Sequence, residues 1–89
     1  MPQAVVDPEE LRNFMRNLRT FNRDLRERLS SLNQQMQALS VTWRDQEQKK
    51  FSAEFEQQAR NLARLIETNE QHVRYLARKA DQIDEYLQS

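Results

Sequence analysis

The sequence has no glycine, no cysteine and one histidine among its 89 residues. Gly-rich phosphate loops need backbone conformations that only glycine adopts readily, so the dinucleotide fingerprint and the Walker-type loop are excluded. The lack of cysteine excludes disulfides, thiolate catalysis and cysteine-based zinc sites. The single histidine, His72, has Asn69 where the Glu-x-x-His of a di-iron bundle would need glutamate. We therefore predict no enzymatic activity, no metal site and no cofactor.

An excess of charge of one sign is also lacking, since 14 basic residues balance 14 acidic ones. This balance gives no reason to expect bulk attraction to nucleic acids or membranes. No apolar run approaches the roughly 18 residues of a membrane span, and residues 1–6 lack the basic and apolar segments of a secretory signal. We expect no membrane span, and a location that is either cytoplasmic or secreted without a cleavable signal peptide.

Large aliphatic and aromatic residues are few. Leu, Ile, Val and Phe together number 20, or about 22%, close to the roughly 20% below which chains tend to be disordered. A chain this short and this polar usually needs a partner to complete its core.

An amphipathic helix is predicted from residue 8 to about residue 39. Asp7 fits an N-cap, and Pro8 occupies the first helical position, where proline is favoured. Apolar residues then recur at steps of three and four, as on one face of a helix. They are Leu11, Phe14, Leu18, Phe21, Leu25, Leu29, Leu32, Met36 and Leu39. This nearly heptad pattern is typical of a helix that packs along another helix.

The apolar stripe stops in the middle of the chain, and a second stripe begins at Phe51. Its members are Phe51, Phe55, Ala59, Leu62, Ile66, Asn69, Val73, Leu76, Ala80, Ile83 and Leu87. Residues 40–42 (Ser-Val-Thr) between the stripes have low helix propensity. Thr42, with Asp45 three residues later, fits a capping box for a new helix. We therefore predict a turn at about residues 40–42 and a second helix from about 43 to 87.

The two stripes predict an all-α fold, an antiparallel two-helix hairpin that forms one domain over residues 1–89. Each helix buries one stripe and still leaves an apolar edge open, so we expect dimerisation into a four-helix bundle. The stripe residues then form the core seam and the dimer interface. The alternative is one continuous helix, a rod about 120 Å long at 1.5 Å per residue.

A tryptophan stands near the predicted turn, in Trp43-Arg44-Asp45, and Phe51 and Phe55 follow it. This resembles the WXG family, the ESAT-like small helical-hairpin proteins of type VII secretion systems, which carry Trp-x-Gly between their two helices. The resemblance covers nearly the whole chain: its length, hairpin, central tryptophan and apolar stripes. Asp45 replaces the glycine of the motif, and we place it inside the second helix as the acid of the capping box.

The resemblance implies a non-enzymatic role as a secreted effector, chaperone-like partner or adaptor. It implies a homodimer or a heterodimer with a similar hairpin protein. It further implies that a secretion ATPase, together with a partner's tail, recognises a groove at Trp43, which otherwise serves as a wedge over the helix ends. The family's export signal, Tyr-x-x-x-Asp/Glu, is not matched at Tyr75, which has Lys79 four residues later; in a heterodimer a partner can carry the signal. The alternative function is a cytoplasmic structural coiled-coil subunit without a secretion role.

Two polar features accompany the stripes. Five arginines on helix 1 lie about 140° from the apolar stripe, at Arg12, Arg16, Arg19, Arg23 and Arg26. Aromatic interleaving and a net basic charge are missing, so nucleic-acid binding is disfavoured and a solvated face is expected. Asn69, the polar member of the second stripe, either fixes register or pairing, or meets solvent.

Overall fold

The computed structural model describes residues 6–88, which form two α-helices, α1 (Pro8–Thr42) and α2 (Gln46–Gln88). Contacts of Arg12 with Asp84, and of Ser40 with Gln48, show that the helices run antiparallel. The hairpin measures 66 × 19 × 15 Å, which is the length of one helix and excludes the continuous rod. The predicted all-α hairpin is confirmed. Residues 1–5, on which most of the signal-peptide expectation depends, and Ser89 lie outside the described residues.

Helix α1 begins at the predicted cap. The Asp7 backbone is extended, and its Oδ1 accepts the backbone N–H of Glu9 at 2.9 Å. The Asp7 carbonyl accepts the N–H of Leu11 at 3.1 Å and so starts the helical ladder. Pro8 follows at the first helical position, where its missing N–H costs no hydrogen bond.

The turn lies at residues 43–45, three residues later than predicted. Helix α1 continues through residues 40–42, because the Ser40 hydroxyl donates to the Met36 carbonyl at 2.9 Å and remains compatible with helical backbone. The Gln48 side chain of α2 then donates to Ser40 Oγ at 3.1 Å. The predicted turn at 40–42 is wrong because propensity differences of a few tenths of a kcal/mol are outweighed by such contacts between helices.

Asp45 is the N-cap of α2, so the predicted capping box led by Thr42 is also wrong. Asp45 Oδ1 accepts the backbone N–H of Gln48 at 2.9 Å, and its carbonyl accepts the N–H of Lys49 at 3.3 Å. Thr42 is the last residue of α1. No residue between 6 and 88 has a positive φ, so this turn closes without the left-handed conformation that favours glycine.

Asp45→Ala is expected to lower the free energy of unfolding by about 1 kcal/mol, because it removes the side-chain acceptor at the start of α2. Asp45→Asn keeps an acceptor and should cost clearly less. Lys50→Ala, an exposed change in the next turn, is the control and should shift stability by less than about 0.5 kcal/mol. Urea unfolding followed by circular dichroism measures all three. Equal losses for Asp45→Ala and Lys50→Ala would contradict the capping role.

The core between the helices is thin. The buried apolar side chains of residues 6–88 are Ile66, Val73, Ala80 and Ile83, all on α2. The chain exposes 7208 Å² of surface, whereas a compact monomer of its mass exposes about 5,500 Å². One hairpin therefore leaves a large part of its apolar surface in contact with water.

Candidate functional site

Six of the exposed large apolar side chains on the two helices form one group, which we call the apolar face, and they are 44–58% exposed. They are Phe14, Phe21, Leu32 and Leu39 of α1, and Phe51 and Leu65 of α2. Isolated exposed leucines are common in soluble proteins, but a row of this length is the mark of an interaction surface.

The members of the apolar face on both helices lie on one side of the hairpin. At 100° per residue, Phe21 lies about 100° around α1 from the buried Asn22, and Leu65 about 80° around α2 from the buried Val73, in the same rotational sense. Because the helices are antiparallel and face each other, equal rotations bring both residues to the same side. A shallow groove lined by Leu32, Leu39, Phe51 and Phe55, among others, joins the two rows near the turn.

The structure divides the predicted stripe residues among three degrees of burial. Ile66, Val73, Ala80 and Ile83 are buried. Half-buried are Leu11, Leu18, Leu25, Leu29, Met36, Phe55, Ala59, Leu62, Asn69 and Leu76. Exposed are Leu87 and the stripe members of the apolar face, which are Phe14, Phe21, Leu32, Leu39 and Phe51. Those residues that line the seam between the helices hold the hairpin together, and the role of the rest in a dimer interface stays a prediction.

A row of three aromatic rings runs along the turn end of the apolar face. The ring centroids of Trp43 and Phe51 are 5.7 Å apart, and those of Phe51 and Phe55 are 6.3 Å apart. Trp43 is half-buried, and its backbone N–H caps α1 by donating to the Leu39 carbonyl at 2.9 Å. Trp43 therefore packs over the start of α2, as the wedge interpretation requires, and its row of rings remains open to a partner.

An asparagine pair crosses the middle of the hairpin. Asn22 of α1 is 3% exposed, and its amide donates to the Ile66 carbonyl at 3.2 Å. The amide of Asn69 donates to Asn22 Oδ1 at 3.0 Å. Asn69 thus bonds to the opposite helix, and the solvent-facing alternative is wrong. Because both amides need this one alignment of the helices, the pair favours a single register over others.

Asn69→Leu is expected to lower the free energy of unfolding by about 1–3 kcal/mol, because it leaves the buried Oδ1 of Asn22 without its donor. The double variant Asn22→Leu/Asn69→Leu should recover this loss, since no polar atom is then left unpaired. Asn17→Leu, an exposed change on α1, is the control. A double-mutant cycle by urea unfolding gives the coupling, and a stabilising Asn69→Leu single variant would contradict the pairing.

On the side of the hairpin away from the apolar face, ion pairs join two of the five arginines of α1 to carboxylates of α2. Arg12 donates to Asp84 at 2.5 Å and to Asp81 at 3.0 Å, and Arg26 donates to Glu70. The hydrogen bonds to Asp84 and Asp81 raise the pKa of Arg12 above its ordinary value. The five arginines therefore form only in part the solvated face that the sequence predicts.

Residues 6–88 hold no cluster of three or more histidine and carboxylate side chains that could bind a metal ion. None of the helices among these residues is long and apolar enough to cross a membrane.

The family model of "proteins of 100 residues with WXG" matches the chain over residues 3–86. The chain belongs to the WXG100 family. No curated protein and no solved structure matches the chain significantly. WXG100 proteins are small, non-enzymatic helical proteins associated with type VII secretion. The family named from Trp43 and the two stripes is confirmed.

The cap at Asp45 explains how a WXG100 chain can lack the glycine of its motif. Asp45 stands where the motif has glycine, and it is the N-cap of α2 with an ordinary backbone conformation. Glycine is itself an acceptable N-cap, only a few tenths of a kcal/mol less favourable than aspartate. Replacing glycine by aspartate at this position therefore preserves the start of the helix.

Sequence reasoning missed Asn22 and Gln48, the two buried polar residues among those described. Asn22 lies four residues after Leu18 and three before Leu25, which is helical spacing, but the apolar stripe passes through the adjacent Phe21 instead. Gln48 lies in the charged segment between the stripes and is buried by its bond to Ser40. The spacing of Asn22 was a usable signal, whereas Gln48 carries none.

Proposed function

We propose that this WXG100 protein acts in type VII secretion as a non-enzymatic pairing module, a secreted effector, chaperone-like partner or adaptor. The apolar face carries this proposal. It runs along both helices, from Phe14 near the open end to Phe51 near the turn, on one side of the hairpin. Burial of this face would add hydrophobic stabilisation, and a chain of 10.8 kDa has little of it from its own core.

The partner of this face is a second hairpin. The apolar face extends for about 38 Å along α1, at 1.5 Å per residue between Phe14 and Leu39, and includes α2 in the half near the turn. A face of this shape fits a second hairpin, and two such faces together form a four-helix bundle. A second copy of the chain satisfies this geometry without any further component, because a two-fold axis places each face on its own equivalent. A similar hairpin protein would use the same face in a heterodimer.

The turn end is the proposed contact for a secretion ATPase, together with a partner's tail. Trp43, Phe51 and Phe55 form an aromatic row there, and Phe51 is 45% exposed. Tryptophan combines a large apolar body with a polar N–H, the combination that is enriched at sites of protein recognition. We infer that export, without a cleavable signal peptide, depends on this end of the hairpin.

Export is tested in a bacterial host that carries a type VII secretion system, with and without its ATPase. The chain should reach the culture medium only when the ATPase is present, and Trp43→Ala should reduce its export. Arg78→Gln, at an exposed position of α2 remote from the turn and outside the apolar face, is the control and should leave export unchanged. A chain that stays in the cell with or without the ATPase would favour the cytoplasmic structural subunit instead.

A further inference from the structure

Four arginines surround a groove between the helices, on the side away from the apolar face. Arg19, Arg23 and Arg26 of α1 and Arg74 of α2 line it with Glu70, and Asn22 and Val73 form its floor. We call this the basic groove. Its volume is about 410 Å³. The groove is continuous with a second hollow whose lining adds Leu29, Ala63 and Ile66, so apolar side chains extend the floor towards the turn.

The basic groove is not neutralised by the chain itself. Arg26 is paired with Glu70, and Arg23 has only Asp24, at 3.8 Å and with both side chains more than half exposed. Arg19 and Arg74 have no ion pair or side-chain hydrogen bond with any residue of the described chain. Like charges three and four residues apart on a helix repel by a few tenths of a kcal/mol per pair. A chain with balanced charge thus concentrates unpaired cations at one place.

The groove and the apolar face lie on opposite sides of the hairpin. From the buried Asn22, Arg19 lies about 60° around α1 in one direction, whereas Phe21 lies about 100° in the other. On α2, Arg74 lies about 100° from the buried Val73, on the side opposite to Leu65. The groove therefore stays accessible when the apolar face is covered.

The part of the basic groove that arginines line is short and has carboxylates near both ends. Arg19 and Arg26 are seven residues apart, a rise of about 10 Å. Towards the open end of the hairpin lie Asp81 and Asp84, which are bound to Arg12, and towards the turn lies Glu67. A nucleic acid that followed the groove would meet these carboxylates, whereas about 10 Å matches three or four extended residues of a peptide.

From this arrangement we infer that the basic groove binds a short acidic segment of a partner protein. Unpaired guanidinium groups bind carboxylates through charge-assisted, often bidentate, hydrogen bonds. The apolar floor accepts an apolar side chain between the acidic ones. The partner is thus recognised by a few Asp or Glu residues with an aliphatic residue among them, and this contact is independent of pairing through the apolar face.

The test is fluorescence anisotropy of the full chain with a labelled peptide of alternating glutamate and leucine, at low salt. The matched peptide has glutamine in place of glutamate. We expect the glutamate peptide to bind and the glutamine peptide not to bind. Arg19→Gln/Arg74→Gln should weaken binding by at least about tenfold, because the loss of even one charge-assisted hydrogen bond has an effect of that size. Arg60→Gln/Arg64→Gln removes the same charge from exposed positions outside both the groove and the apolar face and should leave binding unchanged.

Three results would overturn the inference. The first is no binding of the glutamate peptide by the unmodified chain. The second is an equal loss of binding in the two double variants, which would show that only net charge matters. The third is tighter binding of a single-stranded oligonucleotide of the same charge, with displacement of the peptide. Circular dichroism of each variant verifies that the hairpin is folded, as expected for changes at exposed arginines.

Discussion

Phe21→Glu is expected to abolish the pairing of two hairpins while each hairpin remains folded. Phe21 lies within the apolar face and is 51% exposed in the single hairpin, so a glutamate there meets water and costs the hairpin little. In the proposed dimer the same position is buried against the partner. A carboxylate without a hydrogen-bond partner in such an interface costs several kcal/mol. A cost of about 4 kcal/mol weakens association roughly a thousandfold.

Sedimentation velocity at matched concentrations measures this effect. Thr20→Glu, the neighbouring position on α1, introduces the same charge on the outward side of the helix and is the control. We expect the Thr20 variant to sediment as the unmodified chain does, and the Phe21 variant to sediment as a monomer. If both variants sediment as the unmodified chain does, the apolar face is not the site of pairing.

Ile66→Ala is expected to have the largest effect on the stability of the hairpin itself. Ile66 is 4% exposed, and its carbonyl is the acceptor for the Asn22 amide. Truncating a buried isoleucine to alanine costs about 2–5 kcal/mol, because transfer free energy is lost and a cavity is left. Because few apolar side chains of the hairpin are buried, the half-buried neighbours of residue 66 cannot easily fill the cavity that the substitution leaves.

Val41→Ala is the matched control for this variant. Val41 is 61% exposed and helical, and alanine is the better helix former, so its free energy of unfolding should change by less than about 0.5 kcal/mol. Both variants are compared by urea unfolding at one protein concentration. Similar midpoints for Ile66→Ala and Val41→Ala would show that the thin seam between the helices does not hold the fold together.

The helices and their facing sides could be predicted because apolar spacing reports directly on helix periodicity. The turn was misplaced because low propensity in Ser-Val-Thr is a weak local signal, and the contact that overrides it joins Ser40 to Gln48 of the other helix. Contacts of this kind depend on the register of two helices, which no single stripe fixes. The pairing of Arg12 with Asp84, 72 residues apart in the chain, also depends on this register and so could not be predicted from the sequence.

The division of the stripe residues also needed the structure. Phe14 and Leu18 are equivalent members of one apolar stripe in the sequence, yet Phe14 is 58% exposed and Leu18 half-buried. A stripe of this width exceeds what one neighbouring helix can cover. The hydrogen bond between the Asn22 amide and the Ile66 carbonyl fixes the rotation of α1 relative to α2, and so determines which half of the stripe faces the other helix. The remaining half became the apolar face.

In the proposed dimer a second hairpin covers the apolar face, and static light scattering of the unmodified chain across a dilution series tests this pairing most directly. We expect a mass twice the 10.8 kDa of one chain at micromolar concentrations, falling towards the mass of one chain on dilution. The mass of one chain at every concentration would contradict the pairing, because the apolar face would then remain in water.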